Sequence, residues 1–476
     1  PVMIRPTALL TRLDEATRLV PPDAAEALAR RWAGLPEAVR TLAQLLGRRT
    51  TGCEGTHGVF PRCNFGCRPC YHSSDANRVR VDGPHTIATV DEQMAFARTV
   101  RGPGAYAQLI GGEVSLLDPD DHAEALLTMR RHGRVPMSFT HGDFDHDYLE
   151  ALALDRHGRP RLSYVAFAVH IDSTMQGRRS APHPISEREL HAERARVAAM
   201  FDRLHREHGI TVYLAHNMTV TPGNLDEVPE VIAHSRGLGY RMFSFQPAAY
   251  VGNEARWAPG YRELTDDDVW ARIEAGAGTR LPYRGLQFGD LRCNRVSWGA
   301  WVGPRYVPVI DDTDPRDLRA RDQFFTAFPG PIGYGPLLQR AARTTRAVAR
   351  HPSVIPAVAG WAARFVRRGG GARAPWRGVQ PTTFVLHRFM DAAATAAAWD
   401  HMEHGTPVDE PAVVEAVERL RACAYSMPHP ETGQMIPACV QHGALDPVET
   451  AQLVEFLPHR PPRGGNRLSV DRVPPQ

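Results

Sequence analysis

The chain contains no lysine; all 56 of its Lys-plus-Arg positions are arginine. Without a lysine amine there is no Schiff base to pyridoxal phosphate and no phosphate-loop lysine, which removes two large enzyme classes. Long apolar runs are missing too, since nothing approaches the ~20 residues of a bilayer-spanning helix. The first residues lack the apolar centre of a signal peptide, so a cytoplasmic protein is expected. No strong charge of one sign is present: the net charge is +3 over 476 residues, which argues against generic nucleic-acid binding. Cysteine is scarce. An odd number, seven, with three packed closely together suits a reducing compartment better than a disulfide scaffold.

What is present is organised. The length exceeds one ordinary core. Residues 1–50 read as a helical N-terminal extension, rich in Ala, Leu, Arg and Glu over 23–46 with Pro22 at the start. Short apolar runs at 106–110, 137–140, 164–171, 211–215 and 242–246 then alternate with amphipathic stretches at 90–100, 121–131, 187–208 and 225–238. Such alternation implies parallel βα units and an α/β fold: a partial (β/α)6 barrel over 51–285, with its site at the C-terminal strand ends. A looser C-terminal extension follows over 286–476. Gly369-Gly370-Gly371 marks a joint rather than a phosphate loop, because no G-x-G-x-x-G pattern surrounds it.

The densest chemistry is Cys63-Asn-Phe-Gly-Cys67-Arg-Pro-Cys70, a C-x3-C-x2-C run. Three thiolates this close suit one face of a [4Fe–4S] cubane and leave its fourth iron open to a ligand. A structural zinc site is the competing reading, although it would want a fourth protein ligand. The spacing resembles the signature of the radical S-adenosylmethionine (SAM) enzymes. That resemblance extends over about 52–250 and implies that Cys63, Cys67 and Cys70 bind the cluster while SAM chelates the open iron. It also makes Gly111-Gly112-Glu113, at the end of an apolar strand, the segment that receives the SAM ammonium. Glycines allow close backbone approach, and Glu113 offers the counter-charge. Tyr71, just after the last cysteine, takes the aromatic place near the adenine. Strand-end polar groups follow at His170, Asp172, Ser173, Asn217, Thr219 and Gln246-Pro247; Ser173 and Asn217 are the ones chosen as SAM contacts. Arg178 and Arg179 are candidates for the SAM carboxylate, with a solvated loop as the plainer reading.

Four cysteines remain: Cys53, Cys293, Cys423 and Cys439. Radical SAM proteins with C-terminal extensions use such residues for an auxiliary [4Fe–4S] cluster, with His442 as a substitute ligand should Cys53 be structural. Isolated buried thiols are the alternative. The runs Phe288-Gly-Asp-Leu-Arg-Cys293-Asn294, Val385-Leu-His387-Arg-Phe-Met390-Asp391 and Met435-Ile-Pro-Ala-Cys439 resemble the archaeal tetraether-lipid synthase group. That implies 5′-deoxyadenosyl radical chemistry on an unactivated carbon of a lipid chain. A ribosomal peptide is the second substrate class, and a non-enzymatic zinc or iron–sulfur protein the third reading. A ferredoxin- or flavodoxin-type donor is the implied electron partner.

One further absence matters. From 323 to 390 there is no Asp or Glu, yet ten arginines. Arg340, Arg343, Arg346 and Arg350 fall on one helix side, and Val354, Val358, Trp361 and Phe365 form a stripe beside Arg364, Arg367 and Arg368. This pattern suits an anionic membrane surface, hence peripheral association with the inner face of the membrane. The plainer reading packs the stripe on the barrel; nucleic acid ranks third.

Overall fold

The computed structural model of the chain describes residues 18–72, 74–251, 256–331 and 337–459. The first helix, α1 (Pro22–Ala33), is shorter than the sequence pattern suggests. Gly34 follows it, and Pro36 disfavours helical backbone at Leu35. The chain goes on through a 3₁₀ turn, Glu37–Val39, and isolated bridges Gln44–Gln287 and Leu46–Thr50. Of the helical extension expected over 1–50, residues 1–17 lie outside the described residues, and 34–50 are held by bridges rather than an α-helix.

From residue 53 the expected alternation is present. Strands β1 (Cys53–Gly55), β2 (Tyr106–Leu109), β3 (Val135–Thr140), β4 (Tyr164–His170), β5 (Thr211–Val220) and β6 (Met242–Pro247) pair in chain order, all parallel. Between them run α2 (Gly83–Arg101), α3 (Pro119–Arg131), α4 (His146–Ala153), α5 (His191–His208) and α6 (Val228–Ser235). Aspartates set three of these helix starts: Asp82, Asp118 and Asp145 accept backbone N–H groups of His85, Asp120 and Tyr148. β4 is buried on both faces, as a continuous Val/Ala/Phe run in a covered parallel sheet should be.

The C-terminal residues extend this same sheet rather than sitting beside it. After α7 (Asp266–Ala277) come β7 (Asn294–Val302), β8 (Arg305–Pro308), α8 (Pro315–Ala327), α9 (Leu337–Arg350) and α10 (Val354–Arg368). Then follow β9 (Val379–His387), α11 (Ala392–His404), α12 (Pro411–Arg421), β10 (Tyr425–His429), β11 (Gln434–Pro437) and α13 (Asp446–Phe456). β9 adds in parallel to β6, and β10 in parallel to β1. Beyond these, β11 pairs antiparallel with β10 at one edge, and β7 and then β8 follow β9 in antiparallel sense at the other. The sheet curls until its two added strands meet by side chains: the His387 and Tyr425 rings are 4.5 Å apart. The six-strand arc thus gains one parallel strand at each edge and is closed by packing, not by hydrogen bonds.

Behind β1 lies a fully buried ion pair. Arg134 Nε is 2.8 Å from Glu54, and both side chains are inaccessible to solvent. Burial pushes the Glu54 carboxyl up, and Arg134 opposes it. Arg134→Ala would strand that carboxylate, and a loss of ~3–5 kcal/mol is expected in a denaturant titration. A loss below ~1 kcal/mol would show that water or relaxation compensates the site.

Candidate active site

The strand order carries every C-terminal strand end to one rim, and the cysteine loop crosses that rim. Residues 60–62 lie directly over the end of β2. Gly112 N–H donates to the Phe60 carbonyl at 2.8 Å, and Glu113 N–H to the Arg62 carbonyl at 2.9 Å. A Cβ on Gly112 would lie well under 3.0 Å from the Arg62 and Pro61 carbonyl oxygens, and one on Gly111 at 3.0 Å from that of Phe60. The two glycines are needed because another backbone passes against them. Further along, Gly66 N–H bonds the Gln176 carbonyl and Arg68 N–H that of Thr174, which ties the loop to the segment after β4. Phe65 stacks on His141 at 3.9 Å.

One cleft results. Cys63, Cys67 and Cys70 form its wall with Gly111, Gly112 and Glu113, and Asn217, Thr219 and Gln246 face them. Burial first, then Glu113, pushes the Cys63 thiol up to about 12; burial and the Cys70 and Cys63 charges raise Cys67 well above the usual range. Thiols so placed keep their protons until a metal charge replaces them. A mononuclear zinc fits poorly. Tetrahedral thiolates at a Zn–S distance of ~2.3 Å lie ~3.8 Å apart. Among the described residues, the groups of potential ligand atoms lying within 4.8 Å of one another are His57, His429 and Glu431, and His146, Glu150 and Glu207. The three cysteines are not among those groups, and a cubane, whose ligands sit on separate irons, does not require them to be.

Glu113 is 1 % exposed and held from several sides. It accepts Ser115 N–H at 2.9 Å, the Thr140 hydroxyl at 2.6 Å and His141 N–H at 2.8 Å. A carboxylate has about four acceptor positions, so one remains for a further donor. Asn217, 2 % exposed at the end of β5, has an Oδ1 with no hydrogen-bond partner. An unpaired buried carbonyl costs ~1–3 kcal/mol, which a ligand donor would recover. Asp172 organises the same rim. Burial opposes its ionisation, but His170, Thr174 and Thr219 donate to it and hold it below the usual carboxylate range.

Other expected contacts are placed elsewhere. Ser173 is not part of the cleft wall: its N–H bonds Glu187 at 2.7 Å, and its hydroxyl accepts from Asn224. Arg178 is buried on Glu193 and the His141 and His170 carbonyls, and Arg179 pairs with Asp143 at the surface. Tyr71 faces the cleft and packs against His442, ring centroids 4.2 Å apart. Sequence reasoning missed Arg256, a cleft residue whose charge lowers the Cys63 and Cys67 thiols against burial. It also missed His141, which bridges Asn64 and Glu113. No spacing rule marks an arginine after the last barrel strand, but a His directly after β3 was visible as a strand-end group.

The remaining cysteines divide three to one. Cys293, Cys423 and Cys439 lie near enough for their charges to act on one another at the seam where the sheet closes. Burial pushes Cys293 up to about 11, opposed by Arg419, whose Nε donates to its sulfur at 3.2 Å. Cys53 lies in β1, its N–H bonded to the Ala424 carbonyl; burial, then Glu54, push its thiol up to about 12. His442 Nδ1 is taken by Asp446 at 2.6 Å.

A second cavity lies inside the barrel below the cleft and shares Tyr71, Ile110, Phe139, Asn217 and Phe389 with it. Its deeper wall mixes Met242, Val385 and Met427 with Gln108, Ser244, Tyr425 and His387.

No family model matches the chain, and no curated protein matches it. Among solved structures, it is similar to anSMEcpe with bound AdoMet, at 13 % identity and a TM-score of 0.31, over 46 % of this chain and 57 % of that one. It is also similar to Streptococcus suis SuiB bound to S-adenosylmethionine, at 11 % identity and a TM-score of 0.29, over 45 % of this chain and 43 % of that one. The chain therefore spans about half the length of those proteins.

The Gly112 contact can be tested directly. Gly112→Ala is expected to lose most of the metal taken up by the Cys63 loop while retaining helical and sheet content. Gly66→Ala, whose Cβ would meet nothing nearer than 4.0 Å, should keep it. Equal metal content in the two variants, measured by plasma emission after reconstitution, would contradict the crossing as the organising contact.

Proposed function

We propose that the protein is a radical SAM enzyme acting on the acyl chain of a lipid. The observation that carries the reading is the single cleft shared by Cys63, Cys67 and Cys70, the Gly111–Glu113 turn and the unpaired carbonyl of Asn217. The three cysteines would hold a [4Fe–4S] cluster, and Gly111, Gly112, Glu113 and Asn217 would hold SAM. Together these cofactors supply a 5′-deoxyadenosyl radical able to take hydrogen from an unactivated C–H bond.

The chain's own residues prepare that chemistry. Thr140, Ser115 and His141 fix the Glu113 carboxylate with one acceptor position free for an ammonium. Asn217 Oδ1 offers an acceptor already stripped of water. β9 and β10 wall off the open side of the arc and keep solvent from a reactive centre. What supports a hydrocarbon substrate is the apolar part of the cavity beneath: Met242, Val385 and Met427 can order a methylene chain, although Gln108, Ser244 and Gln246 line the same cavity. The gathering of Cys293, Cys423 and Cys439 supports a second cubane at the seam, with Cys53 outside its ligand set.

Anaerobic reconstitution should give about eight irons per chain, two cubanes. Dithionite with SAM should release 5′-deoxyadenosine, and Cys63→Ala should abolish it. Cys423→Ser should lose about four irons, whereas Cys53→Ser should keep them all. Asn217→Ala should weaken SAM binding about tenfold, the worth of one buried hydrogen bond. Zinc alone, or no deoxyadenosine, would overturn the enzyme reading. Deoxyadenosine whose release is stimulated by peptides and not by lipids would replace the substrate.

A further inference from the structure

The acid-free stretch 323–390 does not behave as its apolar pattern suggests. In α10 the expected surface stripe turns inward. Trp361 Nε1 donates to the Val309 carbonyl at 2.6 Å, and Phe365 packs with Val302, Val307 and Ala374. Arg364 and Arg368 are bound to Asp317 at 2.7 and 2.5 Å, so they are internal ion pairs rather than lipid contacts. The membrane face expected at Trp361, Phe365, Arg364 and Arg368 is therefore body packing.

α9 is built the other way round. At about 100° per residue, Leu337, Leu338, Ala341, Thr345 and Ala349 share one side of this helix, and Arg340, Arg343, Arg346 and Arg350 the opposite one. The only buried residue of α9 is Ala347, on the arginine side, while Leu337, Leu338, Ala341, Thr345 and Ala349 are exposed and Val348, on the same side as these five, is half-buried. A helix of a globular domain ordinarily turns its apolar stripe to the core; α9 turns it to solvent. Leu337 and Leu338 are 76 % and 84 % exposed. Past a short turn, Ile355 and Val358 of α10 are also exposed, and Trp376 is 90 % exposed farther on. Half of the exposed large hydrophobic side chains among the described residues fall in this one stretch.

Cations accompany them. Arg340, Arg350, Arg367 and Arg373 are exposed, and none has a carboxylate partner among the described residues. We propose that the outward side of α9, with the first turns of α10, docks the protein onto the surface of an anionic phospholipid bilayer. Leucines enter the acyl boundary while the long arginine side chains of the opposite side reach back toward phosphate headgroups. Among the described residues no helix is long and apolar enough to cross a membrane, so the contact is one of surface binding. A nucleic acid would engage the arginines but leave Leu337 and Leu338 in water. A second copy docked by a two-fold axis would set arginine against arginine across an acid-free face. The inference extends the lipid reading and rests on it for its purpose; the surface itself needs no cofactor, so the two can fail separately.

Flotation of the full-length, reconstituted protein with phosphatidylcholine vesicles, with and without phosphatidylglycerol, tests the surface. The wild type is expected to float with the anionic vesicles, at least tenfold more than with the neutral ones, and less as salt rises. Leu337→Ser with Leu338→Ser should reduce binding about tenfold or more, and so should Arg340, Arg350, Arg367 and Arg373 changed together to Gln. Both variants should release 5′-deoxyadenosine at the wild-type rate in detergent. No flotation by the wild type, or undiminished flotation by the Leu337/Leu338 variant, would overturn the proposal. So would DNA or RNA binding stronger than vesicle binding and insensitive to that variant. Loss of deoxyadenosine release with flotation intact would count against the cleft chemistry alone.

Discussion

Two backbone hydrogen bonds, Gly112 to Phe60 and Glu113 to Arg62, organise the centre of this molecule. They lay the start of the cysteine loop across the end of β2, which only residues without a Cβ allow. Because the loop is fixed there, its three thiols face the rim of the barrel rather than solvent. Because Glu113 is fixed there, its carboxylate caps the next turn and meets the ends of β3 through Thr140 and His141. A single steric condition thus joins two pieces of sequence, residues 60–62 and 111–113, into one site. The glycines serve the protein's own backbone first, and the ligand by consequence.

The second constraint is closure. A six-strand arc leaves its interior open on one side, and under the proposed function a reactive centre in such an arc would meet water and stray hydrogen donors. The chain meets this by sending its C-terminal part back to both edges of the sheet. β9 and β10 bring His387 and Tyr425 together, and the four distant cysteines end up around that junction or next to it. Closure by side chains leaves the interior wide enough for a cavity, whereas a fully hydrogen-bonded small barrel fills with side chains. The same seam is where Arg419 meets Cys293, so the wall of the inner cavity and the second cysteine group are neighbours at one seam.

Much of this was legible in the sequence. Apolar runs alternating with amphipathic stretches located five of the first six strands, and the cysteine spacing with Gly111-Gly112-Glu113 marked the cleft. β1 escaped notice because Cys53–Gly55 is three residues long and half polar, too short for a periodic signal. Ser173 was misplaced because a strand end fixes a level but not a direction: its N–H turns to Glu187 while Asn217, one strand over, turns into the cleft. Cys53 was grouped with the other cysteines because sequence gives count without geometry. The arginine-rich stretch shows the same limit. Trp361 and Phe365 made the more convincing apolar stripe, yet Asp314 and Asp317, lying before the acid-free stretch, draw Arg364 and Arg368 inward and bury that side. The weaker stripe on α9 is the one left facing outward.

The central claim is that SAM binds at a cluster held by Cys63, Cys67 and Cys70. Electron paramagnetic resonance of the dithionite-reduced protein, recorded with and without SAM, tests it most directly, because a ligand on the open iron alters the environment of the unpaired spin. The account predicts the signal of a reduced [4Fe–4S] cluster whose g values move on addition of SAM in the wild type and in Cys423→Ser, and which is missing when Cys63 is replaced by Ala. A cluster signal that SAM leaves unmoved, or one that survives Cys63→Ala in full, would contradict it.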